Sequence, residues 1–381
     1  MPSFLQHRSG SGGSGWIRFL SGLAGGWIGL TTGWAMGPHE IVLIENGLSE
    51  ESWALASAYA RLRGVPEANR ISVDLAPPGD GRYDLTPEAF TERIWEPVNR
   101  AIRERGLEGH ILAWVYSAGF PVLVTTRPAM SLTGLTWVRN RPPPAEEVEK
   151  GSWNSPLFAG PARPGAAISG TRTLDVARDG LGDEMPLPSM MLGYIGAFGN
   201  TREEVLRTWH DPPPRARPDA AIWFVTNSDI RSVCRDWQFA GAAKELQALG
   251  VPVRIAAEWP ARGQPLLGLM TGRVTVDPQS LTLSPGAIGD HLTSFAGAFE
   301  ETGQTRIDAW IRAGACAAAG TVTEPMSIAA KFPNGRLYVH LARGVTVLEA
   351  YALAVKCPLQ LLILGDPQLE RTLHRQRVGL Q

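Results

Sequence analysis

Cysteine and lysine are scarce in this 381-residue chain: three cysteines, Cys234, Cys316 and Cys357, and four lysines, Lys150, Lys244, Lys331 and Lys356. The cysteine spacings match no zinc or redox motif, which leaves either one oxidised pair with an odd thiol or buried, unpaired thiols. Net charge is scarce as well. Thirty-six Lys+Arg against 37 Asp+Glu leave −1, without the basic excess of a nucleic-acid binder, so no nucleic-acid partner is expected. The chain has no G-x-S-x-G, no H-E-x-x-H and no P-loop. GYIGA at 193–197 lacks both the spacing and the preceding strand of a dinucleotide fingerprint. No cofactor or metal is therefore expected. Beyond residue 35 no run is apolar enough to span a membrane.

Apolar residues are plentiful. At 44% hydrophobic and 19% charged, the chain can bury a sizeable core, and 42 glycines with 30 prolines imply many turns. At the start, residues 6–18 are polar and Gly/Ser-rich, with Arg8 and Arg18 positive. FLSGLAGGWIGLTTGWA at 19–35 is uncharged and ends in small residues. This pattern predicts a signal peptide over 1–35, cleaved after Ala35, and a periplasmic or extracellular protein; an N-terminal membrane anchor is the alternative.

The mature chain alternates strands and helices. EIVLIE (40–45), 70–75 and HILAWVY (110–116) read as strands. Between them lie a helix capped by Ser49, with Trp53, Leu55, Ala56, Tyr59 and Leu62 at helical spacing, and a helix capped by Thr86 that Pro97 kinks or splits. Proline-rich sequence then follows with few periodic runs, read as an insertion over the sheet edge or the rim of a site. The pattern resumes with strands at 220–226, 253–257, 266–270, 287–292, 315–321 and 359–364 and helices at 237–249, 307–313 and 346–355. The expected fold is α/β: a doubly wound, mainly parallel sheet sandwiched by helices, in two halves (38–125 and 219–381) separated by the 126–218 insertion.

Candidate chemistry gathers at predicted strand ends, where doubly wound sheets place ligands. Asp290-His291-Leu292-Thr293-Ser294 brings a carboxylate, an imidazole and two hydroxyls. A serine becomes a nucleophile only beside a base, and residues 291 and 294 face opposite ways in a regular strand, so the pair requires a turn. The competing reading is a structural histidine whose neighbouring hydroxyls satisfy backbone groups. After the small-residue strand GACAAAG, Glu324 could orient a base, bind a cationic group or simply close a loop. Asn227, Asp229 and Arg231 follow another strand end and are candidate binding residues or a solvated loop. Asp366 in Gly-Asp-Pro reads as a turn residue with a further binding role open.

The runs AWVYSAGFPV, PAMSLTGLTWVRN, PGAIGDHLTSFAG, GQTRIDAWIRAGACAAAGTVTEP and LILGDP together resemble a family of exported bacterial proteins over about residues 40–370. That family is distantly similar to gingipain-type, caspase-like cysteine peptidases. The resemblance implies a caspase-like sandwich and export. It sets the nucleophile slot at Ser294 and the base slot near Thr271-Gly272, where no histidine stands; His291 is the candidate substitute. Two functions follow as expectations. One is a non-catalytic domain binding a peptide, protein or envelope polymer. The other is a peptidase- or esterase-like hydrolase using Ser294, His291 and Glu324, with Asp290 and Thr293 alongside.

Overall fold

A computed structural model of the protein describes residues 35–76, 83–210, 217 and 219–370. The uncharged 19–34 run lies outside the described residues. Among those described, no helix is long and apolar enough to cross a membrane.

Thirteen strands form in chain order: β1 (Ile41–Asn46), β2 (Arg70–Val73), β3 (Asp84–Leu85), β4 (Ala113–Tyr116), β5 (Leu123–Val124), β6 (Met130–Ser131), β7 (Ser189–Met191), β8 (Ala221–Val225), β9 (Val253–Ala256), β10 (Pro265–Gly272), β11 (Thr282–Leu292), β12 (Ala317–Thr321) and β13 (Leu361–Gly365). Ten of them build one mainly parallel sheet in the order β2-β1-β4-β7-β13-β12-β11-β10-β8-β9, while β3, β5 and β6 form a small separate sheet. The α/β class expected from the alternating pattern is therefore present. β1 is buried at all six positions, as are all five of β8 and β13. Continuous apolar strands of this kind belong to a sheet covered on both faces.

Local chemistry explains the element boundaries. Ser49 accepts the Ser52 N–H and caps helix Glu50–Arg63, and Gly64, at φ 70°, ends it in the left-handed conformation. Pro97 does not split its helix. A π turn at Thr91–Trp95 precedes it and the helix continues through Glu96–Glu104, so the missing proline N–H is absorbed by a change of hydrogen-bond register.

The proline-rich stretch differs from the expectation of an edge or rim insertion. It supplies β7, an interior strand between β4 and β13, and helix Leu132–Trp137, buried at every position. Gly134 packs directly on Leu359, with no room for a side chain. Ser131 and Thr133 both donate to the Leu361 carbonyl, at 2.7 and 2.9 Å, tying this helix to the start of β13.

β11 and β12 are parallel neighbours, in register at Ile288 and Ala317, joined through helix Asp308–Arg312. This is the adjacency that a short crossover demands. β13 pairs antiparallel with β12, so Gly365 lies opposite Ala317 and Leu361 opposite Thr321. The two ends of β12 thus face different groups: Glu324 lies beyond one end and Asp366 beside the other.

Candidate functional site

Asp290 and His291 are successive residues of β11, so their side chains enter opposite faces of the sheet. On one face Arg235 approaches Asp290, with Nη2 2.5 Å from Oδ1 and both side chains fully buried. The two form a close buried ion pair in which the guanidinium favours the charged carboxylate. Burial raises the Asp290 pKa, against the pull of the guanidinium. Arg235 also donates to the carbonyls of Thr271 and Pro333.

On the other face His291 is locked. Trp310 Nε1 donates to His291 Nδ1 at 2.9 Å, which leaves Nε2 to donate to the Thr305 carbonyl at 2.8 Å. Both ring nitrogens are used, in the neutral tautomer. Gly289 permits this, because any Cβ there would overlap the Trp310 ring. Burial, with a smaller push from the Arg235 charge, holds the His291 pKa down at about 4.

Ser294 lies past the end of β11, 8% exposed. Its carbonyl accepts the Thr321 hydroxyl at 2.8 Å, and that of Thr293 accepts it at 3.3 Å. Thr293 donates to Gln304 Oε1 at 2.6 Å, and the Phe295 N–H reaches the same oxygen at 3.1 Å. These bonds fold 293–305 back onto the strand ends. The loops after β7 and β11 meet there too, with the Tyr194 and Phe299 rings stacked 3.9 Å apart.

The candidates therefore divide. The structure sets the loops carrying Ser294 and Glu324 at the ends of neighbouring parallel strands, but aims His291 away toward Trp310. Glu324 is exposed and accepts the Met326 N–H at 2.8 Å, stabilising a turn in which Met326 and Ser327 take φ of 58° and 52°. Asn227, Asp229 and Arg231 form a capped turn: Asp229 accepts the Arg231 N–H and its guanidinium, while Asn227 donates to the Gly272 carbonyl at 2.9 Å. Asp366 stands apart from Ser294, at the other end of β12. Its N–H donates to the Cys316 carbonyl, and its carboxylate takes the Tyr59 hydroxyl at 2.9 Å and the Arg63 guanidinium.

The Thr271-Gly272 position is sealed. Thr271 donates its hydroxyl to the Val225 carbonyl at 2.9 Å, and the Thr271 and Gly272 carbonyls are taken by Arg235 and Asn227. No disulfide joins Cys234, Cys316 and Cys357 to one another, and burial pushes the Cys357 thiol up to about 11. Sequence reasoning missed Trp310 and Arg235. The one local signal for Trp310 was a glycine immediately before Asp290-His291; Arg235 has none.

A comparison with models of known protein families finds no match, and a comparison with curated proteins finds no relative.

The locked histidine predicts a pH dependence. His291 binds a proton below about 6.5 when unfolded but only near 4 when folded, so the unfolded chain binds more protons between these values. Stability should thus fall as pH drops from 6.5 to 4 and level off below. The gap, about 2.5 units at roughly 1.4 kcal/mol each, amounts to about 3 kcal/mol. Urea midpoints at pH 7 and 4.5 measure it; a His291→Gln variant should lose less on acidification, and an identical loss would refute the assignment.

Proposed function

We propose that this chain is an exported, catalytically inert domain of caspase-like design that binds a peptide, protein or envelope polymer at the ends of β10, β11 and β12. The observation that carries this reading is His291. A serine needs a base that can accept its proton. The imidazole already uses both nitrogens, lies 1% exposed and resists protonation. The Thr271-Gly272 slot offers no base either. Polar side chains at this edge are instead engaged in turns and loop ties, a suitable frame for recognition by a fixed surface.

The test is activity-based labelling of the purified protein with a fluorophosphonate, alongside a panel of peptide and ester substrates. We expect no label and no turnover, and a Ser294→Ala variant indistinguishable from the wild type in both assays. Label on Ser294 together with hydrolysis that Ser294→Ala abolishes would establish the hydrolase reading instead.

A further inference from the structure

Arg273 follows directly on the sealed Thr271-Gly272 end of β10. It lines an open cleft of about 450 Å3 with Thr275, Val276, Asp277, Ser280 and, from the loop after β9, Trp259. That volume lies within the roughly 300–1,000 Å3 of small-molecule sites. Four of the six lining side chains are polar, and they include a cation and a carboxylate.

The fold places this cation without using it. The central carbon of the Arg273 guanidinium stands 5.4 Å from the centre of the Trp259 ring. Its Nε is buried without an acceptor, and among the described residues the guanidinium makes neither a hydrogen bond nor an ion pair. Stacking on an indole engages the face of a guanidinium and leaves its in-plane N–H fork free for an oxyanion. Asp277 lines the same cleft without pairing to Arg273. One of its carboxylate oxygens accepts the Gln279 N–H at 3.2 Å, and the other has no donor among the described residues. The Ser280 hydroxyl donates to the Asp277 carbonyl at 2.7 Å, which leaves its lone pairs to accept. The wall between Arg273 and Asp277 is braced. Thr305 donates its N–H to the Val274 carbonyl at 3.2 Å and its hydroxyl to the Val276 carbonyl at 2.8 Å, while its own carbonyl takes His291 Nε2. The histidine lock thereby steadies the cleft.

A free guanidinium asks for an acid group, and an unpaired carboxylate in the same cleft asks for hydrogen-bond donors close to that acid group. A sugar acid meets both demands on one rigid ring: hydroxyls stand next to its carboxylate, and its C–H groups suit the indole surface of Trp259. An acidic peptide side chain holds its carboxylate away from the nearest amide donor by its methylene stem. From this arrangement we infer that the cleft between Trp259, Arg273 and Asp277 binds a uronate-type sugar acid, with Arg273 donating to its carboxylate and Asp277 and Ser280 accepting from its hydroxyls. Free sugar acids and the uronate units of an envelope polysaccharide share that chemistry. The inference rests on the reading of this sheet edge as a binding surface, not on whether Ser294 is inert.

Calorimetric titration of the full chain with D-glucuronate, D-glucose and cyclohexanecarboxylate tests it. Glucuronate should bind at least about tenfold more tightly than either of the others, a difference of about 1.4 kcal/mol. Arg273→Met should erase the advantage over glucose and leave the thermal midpoint unchanged, because no hydrogen bond or ion pair of the described fold uses the guanidinium. Asp277→Asn, which keeps an oxygen for the Gln279 N–H, should shrink the advantage over cyclohexanecarboxylate, a comparison between ligands of equal charge. An oligoglucuronate binding more tightly than glucuronate marks a polysaccharide as the source, and equal affinity marks the free acid. Glucose or cyclohexanecarboxylate binding as tightly as glucuronate, tri-glutamate binding more tightly than it, no binding of glucuronate or its oligomer at millimolar concentration, or a preference untouched by Arg273→Met would overturn the inference. Each of these results leaves the inert reading standing, whereas hydrolysis at Ser294 would overturn that reading and leave the sugar-acid preference intact.

Discussion

An Arg235→Met variant should lose about 3–5 kcal/mol of stability at neutral pH, the usual effect of removing one partner from a fully buried ion pair. Arg235 has no exposed side-chain surface and neither has Asp290. Methionine fills much of the arginine volume but leaves the Asp290 carboxylate without a counter-charge. The Thr271 and Pro333 carbonyls also lose their donors. The Tyr338 hydroxyl is committed to the Ile288 carbonyl, and the Tyr351 hydroxyl is buried without a partner. Asp290 would have to take up a proton, so the variant should regain stability as pH falls, because its already raised pKa would rise further. Adding Asp290→Leu should recover most of the loss at pH 7, since a buried pair replaced by apolar groups is often neutral. Urea denaturation of the two single variants and the double variant gives the coupling directly. A loss below about 1 kcal/mol for Arg235→Met would mean that the pair is solvated and the buried cluster misassigned.

How much of this was legible in the sequence depended on whether an element shows a boundary or a pattern. Apolar runs at 41–45, 221–225 and 361–364 are bounded by turn residues, and each is a buried strand. The neighbouring, parallel course of β11 and β12 followed from the short helical crossover between them. Helices Leu132–Trp137 and Leu337–Ala342 were not legible for the opposite reason. Every residue of both is buried, so neither has a polar face and no helical period emerges. β7 is three residues long, too short for any period, and its place beside β13 is set by contacts from distant parts of the chain. At the site, the sequence raised the right objection about residues 291 and 294 facing apart. It could not reveal Trp310 across from His291, because that partnership depends on how helix Asp308–Arg312 lies over Gly289.

Trp310→Ala should likewise destabilise the fold by about 3–5 kcal/mol, the range for emptying a large buried aromatic site. Trp310 is fully buried, and its ring packs over Gly289 to reach His291. The variant separates packing from chemistry when set beside Trp310→Phe. Phenylalanine keeps much of the ring but lacks the N–H, so its main effect is to leave His291 Nδ1 as a buried acceptor without a donor, about 1–3 kcal/mol. The two should also differ in acid. In Trp310→Ala, water can enter the vacated space and solvate the imidazole, so the His291 pKa should climb from about 4 toward its ordinary value near 6.5. In Trp310→Phe the ring stays dry and the pKa should stay low. The acid-induced loss of stability assigned to His291 should therefore shrink in the alanine variant and persist in the phenylalanine variant. Imidazole proton and nitrogen chemical shifts followed from pH 7 to 4 report the titration itself. Should His291 titrate near 6.5 in the unaltered protein, the Trp310 lock would not exist, and the strongest argument for an inert site would go with it.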